Sequence, residues 1–335
     1  MCTCGVTSIF KKIDTSNVKE IYKSIRELVP EQKFAYNIIM QFCKDTVKFQ
    51  NSKQLKSVKP PLLIIHGGAG TGKSKLIKDI ANSAEFFLRK SGDNPDHPYI
   101  IRAAPTGMAA SLIDGVTLHS GFHLPFKNKF ESLSDKIRDD IRLQLSNFTI
   151  LIIDEISMMR SDMLQEVKQK SQIFGGVSIC LFGDIMQLKP VKGNYIFEEP
   201  RDSHHLEYYN LENLWNLFDV IELNENHRQG NDKIYLDILR RIRIGEHTEE
   251  DVKVLKTRER DEHSSDLPKD AQYIYGTNKC VNTCNMKKLL EQKEMLETLD
   301  AVHVHPTIKN YHPCIKADGT INETGFMNRL YLKKI

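Results

Sequence analysis

At 335 residues, with 40% hydrophobic and 27% charged side chains, the chain can fill two ordinary domains with their own cores, and its formal charge of +3 permits a polynucleotide partner without requiring one. Seven cysteines, an odd number spread over the whole length, argue against a disulfide framework and for a reducing compartment. The opening MCTCGVTSIFKKID carries no secretory h-region, and no apolar run nears the ~20 residues that span a bilayer, so the expectation is a soluble, intracellular protein with no membrane partner.

Residues 1–27 are polar and weakly patterned and read as an N-terminal extension. PEQKFAYNIIMQFCKD predicts a helix starting at Pro30, with Phe34, Ile38 and Cys43 on its apolar stripe. QNSKQLKSVKP (50–60) reads as a basic loop. Four short apolar runs follow: PLLIIH (61–66), YIIRAA (99–104), FTILIID (148–154) and VSICLFGD (177–184). Their lack of polar alternation predicts parallel strands covered on both faces. Between the first two, SKLIKDIANSAEFFLRK places Leu76, Ile77, Ile80, Ala81 and Ala84 on one helical face. Strands alternating with helices give an α/β class, a doubly wound parallel sheet with helices on both faces. Residues 122–147 read as a small charged excursion. DKIYLDILRRIRIGEHTEED is helical, and a strand-like AQYIYGT (271–277) with the helical NKCVNTCNMKKLLEQK opens a second α/β unit.

The first strand runs straight into GGAGTGKS, where Gly67, Gly72, Lys73 and Ser74 satisfy G-x-x-x-x-G-K-[ST] in a strand–loop–helix context. Glycines let backbone N–H groups turn onto an anion, and the following helix aims its positive end at it. The loop from Gly67 through Gly68, Ala69, Gly70, Thr71 and Gly72 to Lys73 and Ser74 is therefore the expected triphosphate site. Lys73 would sit on the β- and γ-phosphates and the Ser74 hydroxyl on Mg²⁺. Asp154 ends another strand and is the expected second Mg²⁺ group, with Glu155 placed to take a proton from an attacking water. In SICLFGDIMQLKPV an amide, Gln187, stands three residues past an acid at a strand tip. Alone it would be a polar strand cap. Beside the phosphate loop it can bond a γ-phosphate oxygen and the attacking water, and so report loss of the phosphate.

The order of these motifs resembles superfamily 1 DNA helicases of the PIF/RecD type, including the helicase segments of Helitron-like transposons, over residues 28 to 335. LVPEQKFAYNIIM looks like the family's Q motif, AAPTGMAA and GVTLHSGFHLP like its DNA-contacting motifs, and DEISMM and FGG (174–176) are also similar. GDIMQLKPV follows the family's G-D-x-x-Q-L-P-P-V except at Lys189, and LNENHRQGND carries its Arg-Gln pair as Arg228 and Gln229. The resemblance implies a RecA-like ATPase lobe over 28–198 with an insertion at about 122–147, and a partial second lobe over 199–335. It implies ATP-driven 5′-to-3′ movement on single-stranded DNA, unwinding of forked duplexes, and work in replication, repair, recombination or telomere maintenance, in the nucleus or alternatively the mitochondrion. Gln32 would read adenine, Thr106 and His119 would touch DNA, and Arg228 would stabilise charge in the transition state.

The family pattern continues past GFMNRLYLKKI with motifs not found here, which leads to the expectation of a fragment or a degraded mobile-element copy. Two other readings stay open: an ATPase that does not unwind, and a remnant that binds nucleotide or DNA without turnover. Cys280, Cys284 and the downstream histidines lack tight zinc spacing and read as ordinary thiols and surface histidines.

Overall fold

The computed structural model describes residues 18–51, 58–94, 96–122, 139, 143–161, 163–164, 177–190, 193–198, 213–228, 230, 232–260, 267, 271–291, 297–300 and 329–332. Most of the 122–147 excursion, FGG (174–176), Gln229 and the histidines after 300 lie outside them. The chain divides into two compact units, one ending at Val252 and one beginning at Lys253.

The first unit is built on a six-stranded sheet: β1 (Leu62–Gly67), β2 (Ile100–Ala104), β3 (Val116–Thr117), β4 (Ile150–Ile153), β5 (Ser178–Gly183) and β6 (Asp219–Leu223), in the order β3-β2-β4-β5-β1-β6. Every pairing is parallel. The four apolar runs are four of these strands. Their uniform apolarity has the expected cause: successive residues feed different cores. Leu63, Ile65, Ile152, Cys180 and Phe182 belong to one buried cluster, while Ile64, Leu151, Ile153, Ile179 and Leu181 belong to the other. This is the RecA-like α/β arrangement.

Helices α1 (Val18–Arg26), α2 (Pro30–Asn51) and α3 (Lys73–Leu88) belong to the first cluster's side, and α1 is tied to α3 by a Ser24 hydroxyl donating to Asp79 at 2.9 Å. All five residues expected on the α3 stripe are fully buried. The α2 stripe needs correction. Ala35, Ile39, Phe42 and Cys43 are buried, whereas Phe34 is 59% exposed and Ile38 is only partly covered. A helix this apolar offers two stripes about one residue apart, and only the neighbouring α3 selects between them.

Short helices α4 (Gly107–Leu112) and α5 (Leu118–Phe122) follow β2 and β3, and α6 (Lys233–Ile244) and α7 (Glu249–Lys256) follow β6. Strand β6 was not anticipated. Its sequence, DVIEL, mixes acids with aliphatics because only one face of this edge strand is covered: Ile221 and Leu223 are buried, while Val220, 62% exposed, and Glu222 lie on the open face. The sheet thus takes a strand from beyond position 198, where the sequence reading ended the first lobe.

In the second unit α8 (Asn278–Glu291) matches the expected helix, and β7 (Glu297–Asp300) pairs antiparallel with β8 (Arg329–Leu332). AQYIYGT forms no strand: residues 271–275 are irregular and Ile274 is 95% exposed. β-propensity expresses itself only where a partner strand receives it.

Candidate nucleotide site

Strand order decides what meets at the carboxyl edge of the sheet. β5 lies between β1 and β4, so its tip stands between the glycine-rich loop that follows β1 and the Asp154–Glu155 pair that follows β4. Parallel sheets over which the chain winds in this way bind ligands at that edge.

The loop's path is fixed at its glycines and at its carbonyls. Gly70 (φ 85°) and Gly72 (φ 78°) take left-handed conformations that side-chain-bearing residues rarely adopt. The carbonyls from Gly67 to Thr71 are all occupied by donors. Lys73 Nζ donates to Gly67 O (2.6 Å) and Gly68 O (2.9 Å), and the Thr71 hydroxyl also donates to Gly68 O (3.0 Å). Asn226 Nδ2 donates to Ala69 O (2.6 Å), His227 N to Gly70 O (2.8 Å) and Gln32 Nε2 to Thr71 O (2.9 Å). Burial lowers the pKa of Lys73, while Asp184, Asp154 and Glu155, in that order, pull it back up. The strand order sets the Lys73 loop beside the β5 tip with Asp184, and the β4 tip with Asp154 and Glu155 one strand further on.

Asp154 is 7% exposed, and burial pushes its carboxyl up to about 6, against a hydrogen bond from Glu155 N (2.9 Å) and the nearby Lys73 charge. Glu155 itself is in the left-handed region (φ 57°), a conformation that costs about 1 kcal/mol or more for a non-glycine residue. Its carboxylate accepts from the Ser157 hydroxyl at 2.8 Å. Gly183 lets β5 pass close by: a Cβ there would lie 2.8 Å from the Ile156 nitrogen.

Asp184 is the buried hub of the next tip, 2% exposed. Burial alone would raise its pKa. Arg243, from α6, overrides this with Nη2 at 2.7 Å and Nε at 3.1 Å from the two carboxylate oxygens, helped by Met186 N–H, so the carboxyl lies below its ordinary range. Arg243 Nη2 also approaches His66 Nε2 at 3.0 Å, joining β1 to β5. The exposed Gln187 donates from Nε2 to Asp184 Oδ2 at 3.3 Å. Sequence reasoning missed Arg243, His66 and Asn226. The available signal was the arginine pair of LRRIRIG: Arg240 and Arg243 are three apart and so share a helical face. Both line a cavity of about 460 Å³, together with Gly68, Thr71, Asp184 and Gln187.

The remaining expected residues divide. Gln32 is buried in the first turn of α2. Its Oε1 accepts from Val29 N (3.3 Å) and its Nε2 serves Thr71, which leaves one N–H and one lone pair for a base. Arg228 reaches the loop: a Cβ on Gly70 would be 2.6 Å from Arg228 Cβ. Thr106 and His119 stand two residues past the ends of β2 and β3, on the same edge of the sheet but three and four strand spacings from β1, about 14 and about 19 Å. Thr106 caps α4, accepting from Ala109 N at 3.3 Å. His119 is half-buried, and burial followed by the Arg160 charge lowers its pKa.

Among the described residues no group of three or more His, Cys, Asp or Glu could hold a metal ion. The donor set at this edge, one hydroxyl and one carboxylate, suits Mg²⁺, which keeps waters and phosphate oxygens as its other ligands. No helix among the described residues is long and apolar enough to cross a membrane.

Comparison with known proteins bears on this geometry. The chain is 31% identical over 236 residues to the ATP-dependent DNA helicase RRM3 of Saccharomyces cerevisiae, an alignment covering 67% of this chain and 30% of that protein. Bacteroides Pif1 bound to ssDNA matches with a TM-score of 0.55 at 25% identity, covering 91% of this chain and 63% of that one. Bacteroides sp Pif1 in complex with ADP-AlF4 matches with a TM-score of 0.55 at 26% identity, covering 91% and 64%. The chain thus spans about a third of its yeast relative's length. Residues 28–253 match the model of the PIF1-like helicase family, and this chain belongs to that family.

Proposed function

We propose that the chain is the ATPase part of a motor that couples ATP hydrolysis to 5′-to-3′ movement on single-stranded DNA and to unwinding of forked duplexes. One observation carries the proposal: the strand order brings the glycine-rich loop with Lys73, the Asp184–Gln187 tip and the Asp154–Glu155 tip to successive positions on one edge of the sheet. Bacteroides Pif1 in its ADP-AlF4 complex, and in its ssDNA complex, supports ATP and DNA as the ligands.

In this reading the cradle amides and Lys73 hold the β- and γ-phosphates. The Ser74 hydroxyl and the Asp154 carboxylate would hold Mg²⁺, which would supply charge neutralisation for phosphoryl transfer. Glu155 accepts the proton of the attacking water. Gln187 leaves Asp184 to bond the γ-phosphate and the water, and returns when the phosphate departs. Arg228 adds charge at the γ-phosphate and Gln32 reads adenine. Thr106 and His119 touch the strand from the β2–β3 edge, so that movement at the β5 tip reaches DNA across the sheet. The segment after Val252 is taken as the start of a second RecA-like lobe, and the site of action as the nucleus, with the mitochondrion as the alternative.

Steady-state hydrolysis of MgATP with and without oligo-dT tests this. The expected result is turnover that rises at least about tenfold with DNA and disappears in Lys73→Ala. Equal turnover with and without DNA would leave an ATPase that is not a DNA motor, and absence of hydrolysis in the wild-type chain would leave a binding remnant.

A further inference from the structure

A phosphate cradle works only if its peptide planes are turned amide-inward, and that orientation leaves the carbonyls facing out in need of donors. Here each carbonyl from 67 to 71 has one. Those of Gly67, Gly68 and Thr71 are served by Lys73, Thr71 and Gln32, from or near the familiar motifs. The two at the apex of the loop, Ala69 O and Gly70 O, are served by residues 157 positions away in sequence, Asn226 Nδ2 at 2.6 Å and His227 N at 2.8 Å.

The strand register explains how they arrive. Leu223, the last residue of β6, is paired with Gly67, the last residue of β1, so the chain leaving β6 must run along the loop leaving β1. Contact is close enough that a Cβ on Gly67 would lie 3.0 Å from Leu223, and one on Gly70 would lie 2.9 Å from Asn226 Nδ2. The Asn226 side chain then does two things at once. Its amide nitrogen holds Ala69 O, and its amide oxygen accepts Arg228 N at 3.0 Å.

We infer that Asn226 is a positioning residue for the nucleotide site: it holds the apex of the cradle amide-inward and fixes Arg228 to that apex, so that the loop and the arginine move as one piece. This rests on the reading of the loop as a nucleotide site. The side chain is partly exposed and belongs to neither apolar cluster, so replacing it leaves the packing of both clusters in place.

Asn226→Asp keeps the oxygen that accepts from Arg228 but sets a carboxylate oxygen against Ala69 O, and Asn226→Ala removes both bonds. Binding of MgADP and a fluorescent ATP analogue, ATPase kcat and KM, and thermal unfolding would be measured on the full chain, with Lys73→Ala as the reference. The expected result for Asn226→Asp is nucleotide binding weakened by about tenfold or more at unchanged melting temperature. Asn226→Ala should additionally lower kcat, because Arg228 is released. Wild-type-like nucleotide binding by both variants, while Lys73→Ala loses it, would overturn the role of Asn226 and leave the nucleotide site standing. A wild-type chain that binds no nucleotide would overturn the site and this inference with it. Binding and melting temperature that fall together in both variants would mark Asn226 as a fold residue and also overturn it.

Discussion

Three helices of this molecule are held in three different ways. Helix α3 buries nine of its sixteen residues, among them an unbroken stripe from Leu76 to Leu88. Helix α7 buries a single residue, and that residue is an acid, Asp251. Helix α8 is nearly as long as α3 and also contains leucines, valine and methionine, yet buries none of its described residues. Composition does not separate α3 from α8. The difference is that α3 returns along a strand it has just left and lies against the sheet, with its apolar residues gathered on one side, whereas those of α8 are scattered around its circumference. A helix's apolar content becomes stability only when its spacing and its topology agree.

The comparison can be broken at each helix. The largest effect is expected in α3, where Leu76→Ala should cost about 3 kcal/mol by chemical denaturation, since the side chain is fully buried in a packed cluster. A loss below about 1 kcal/mol would mean that the stripe does not hold the helix. At α7 the effect should be smaller and dependent on pH. Asp251 accepts from Arg241 at 2.5 and 2.7 Å and from Thr248 N at 2.9 Å, and the Arg241 hydrogen bond, then that of Thr248, holds its carboxyl far below the ordinary range. A depressed folded pKa stabilises above the unfolded value, about 4 for aspartate, and that stabilisation fades as pH falls further. Asp251→Asn should therefore lower the melting temperature at pH 6 and lose less of it on acidification to pH 3 than the wild type does. Parallel melting curves over that range would remove the ion pair from the account of α7. The smallest effect belongs to α8: Leu290, 59% exposed, should tolerate alanine within about 0.5 kcal/mol. A cost matching that of Leu76→Ala would show that α8 has a covered face after all.

The same contrast separates what could be read from the residues. The runs at 61–66, 99–104, 148–154 and 177–184 were legible as strands because burial on both sides leaves no polar alternation, and GGAGTGKS was legible because its glycines answer to one backbone geometry. Edge strand β6 was not, since an exposed start at Asp219 and an exposed face at Val220 and Glu222 break up its apolar residues. That omission hid Asn226, whose position follows from the register of β6 on β1. Arg243 was hidden for a related reason: its partner Asp184 is 59 residues away, and no local pattern announces a pairing set by where α6 folds back. AQYIYGT was misread as a strand, because a β-branched and aromatic string announces a propensity and not a pairing.

By itself the amino-acid order determined the local chemistry: a loop that only glycines can turn, a lysine and a hydroxyl at the head of a helix, and acids at the ends of apolar runs. These follow from covalent geometry and hydrophobic spacing within a few residues. The tertiary structure decided which ends became neighbours, with β5 placed between the cradle and Asp154, Arg243 locked onto Asp184, and the chain after β6 brought onto the carbonyls of Ala69 and Gly70. Those choices belong to strand pairing across the sheet. A hydrogen bond between residues more than a hundred positions apart leaves no periodic trace in either segment alone.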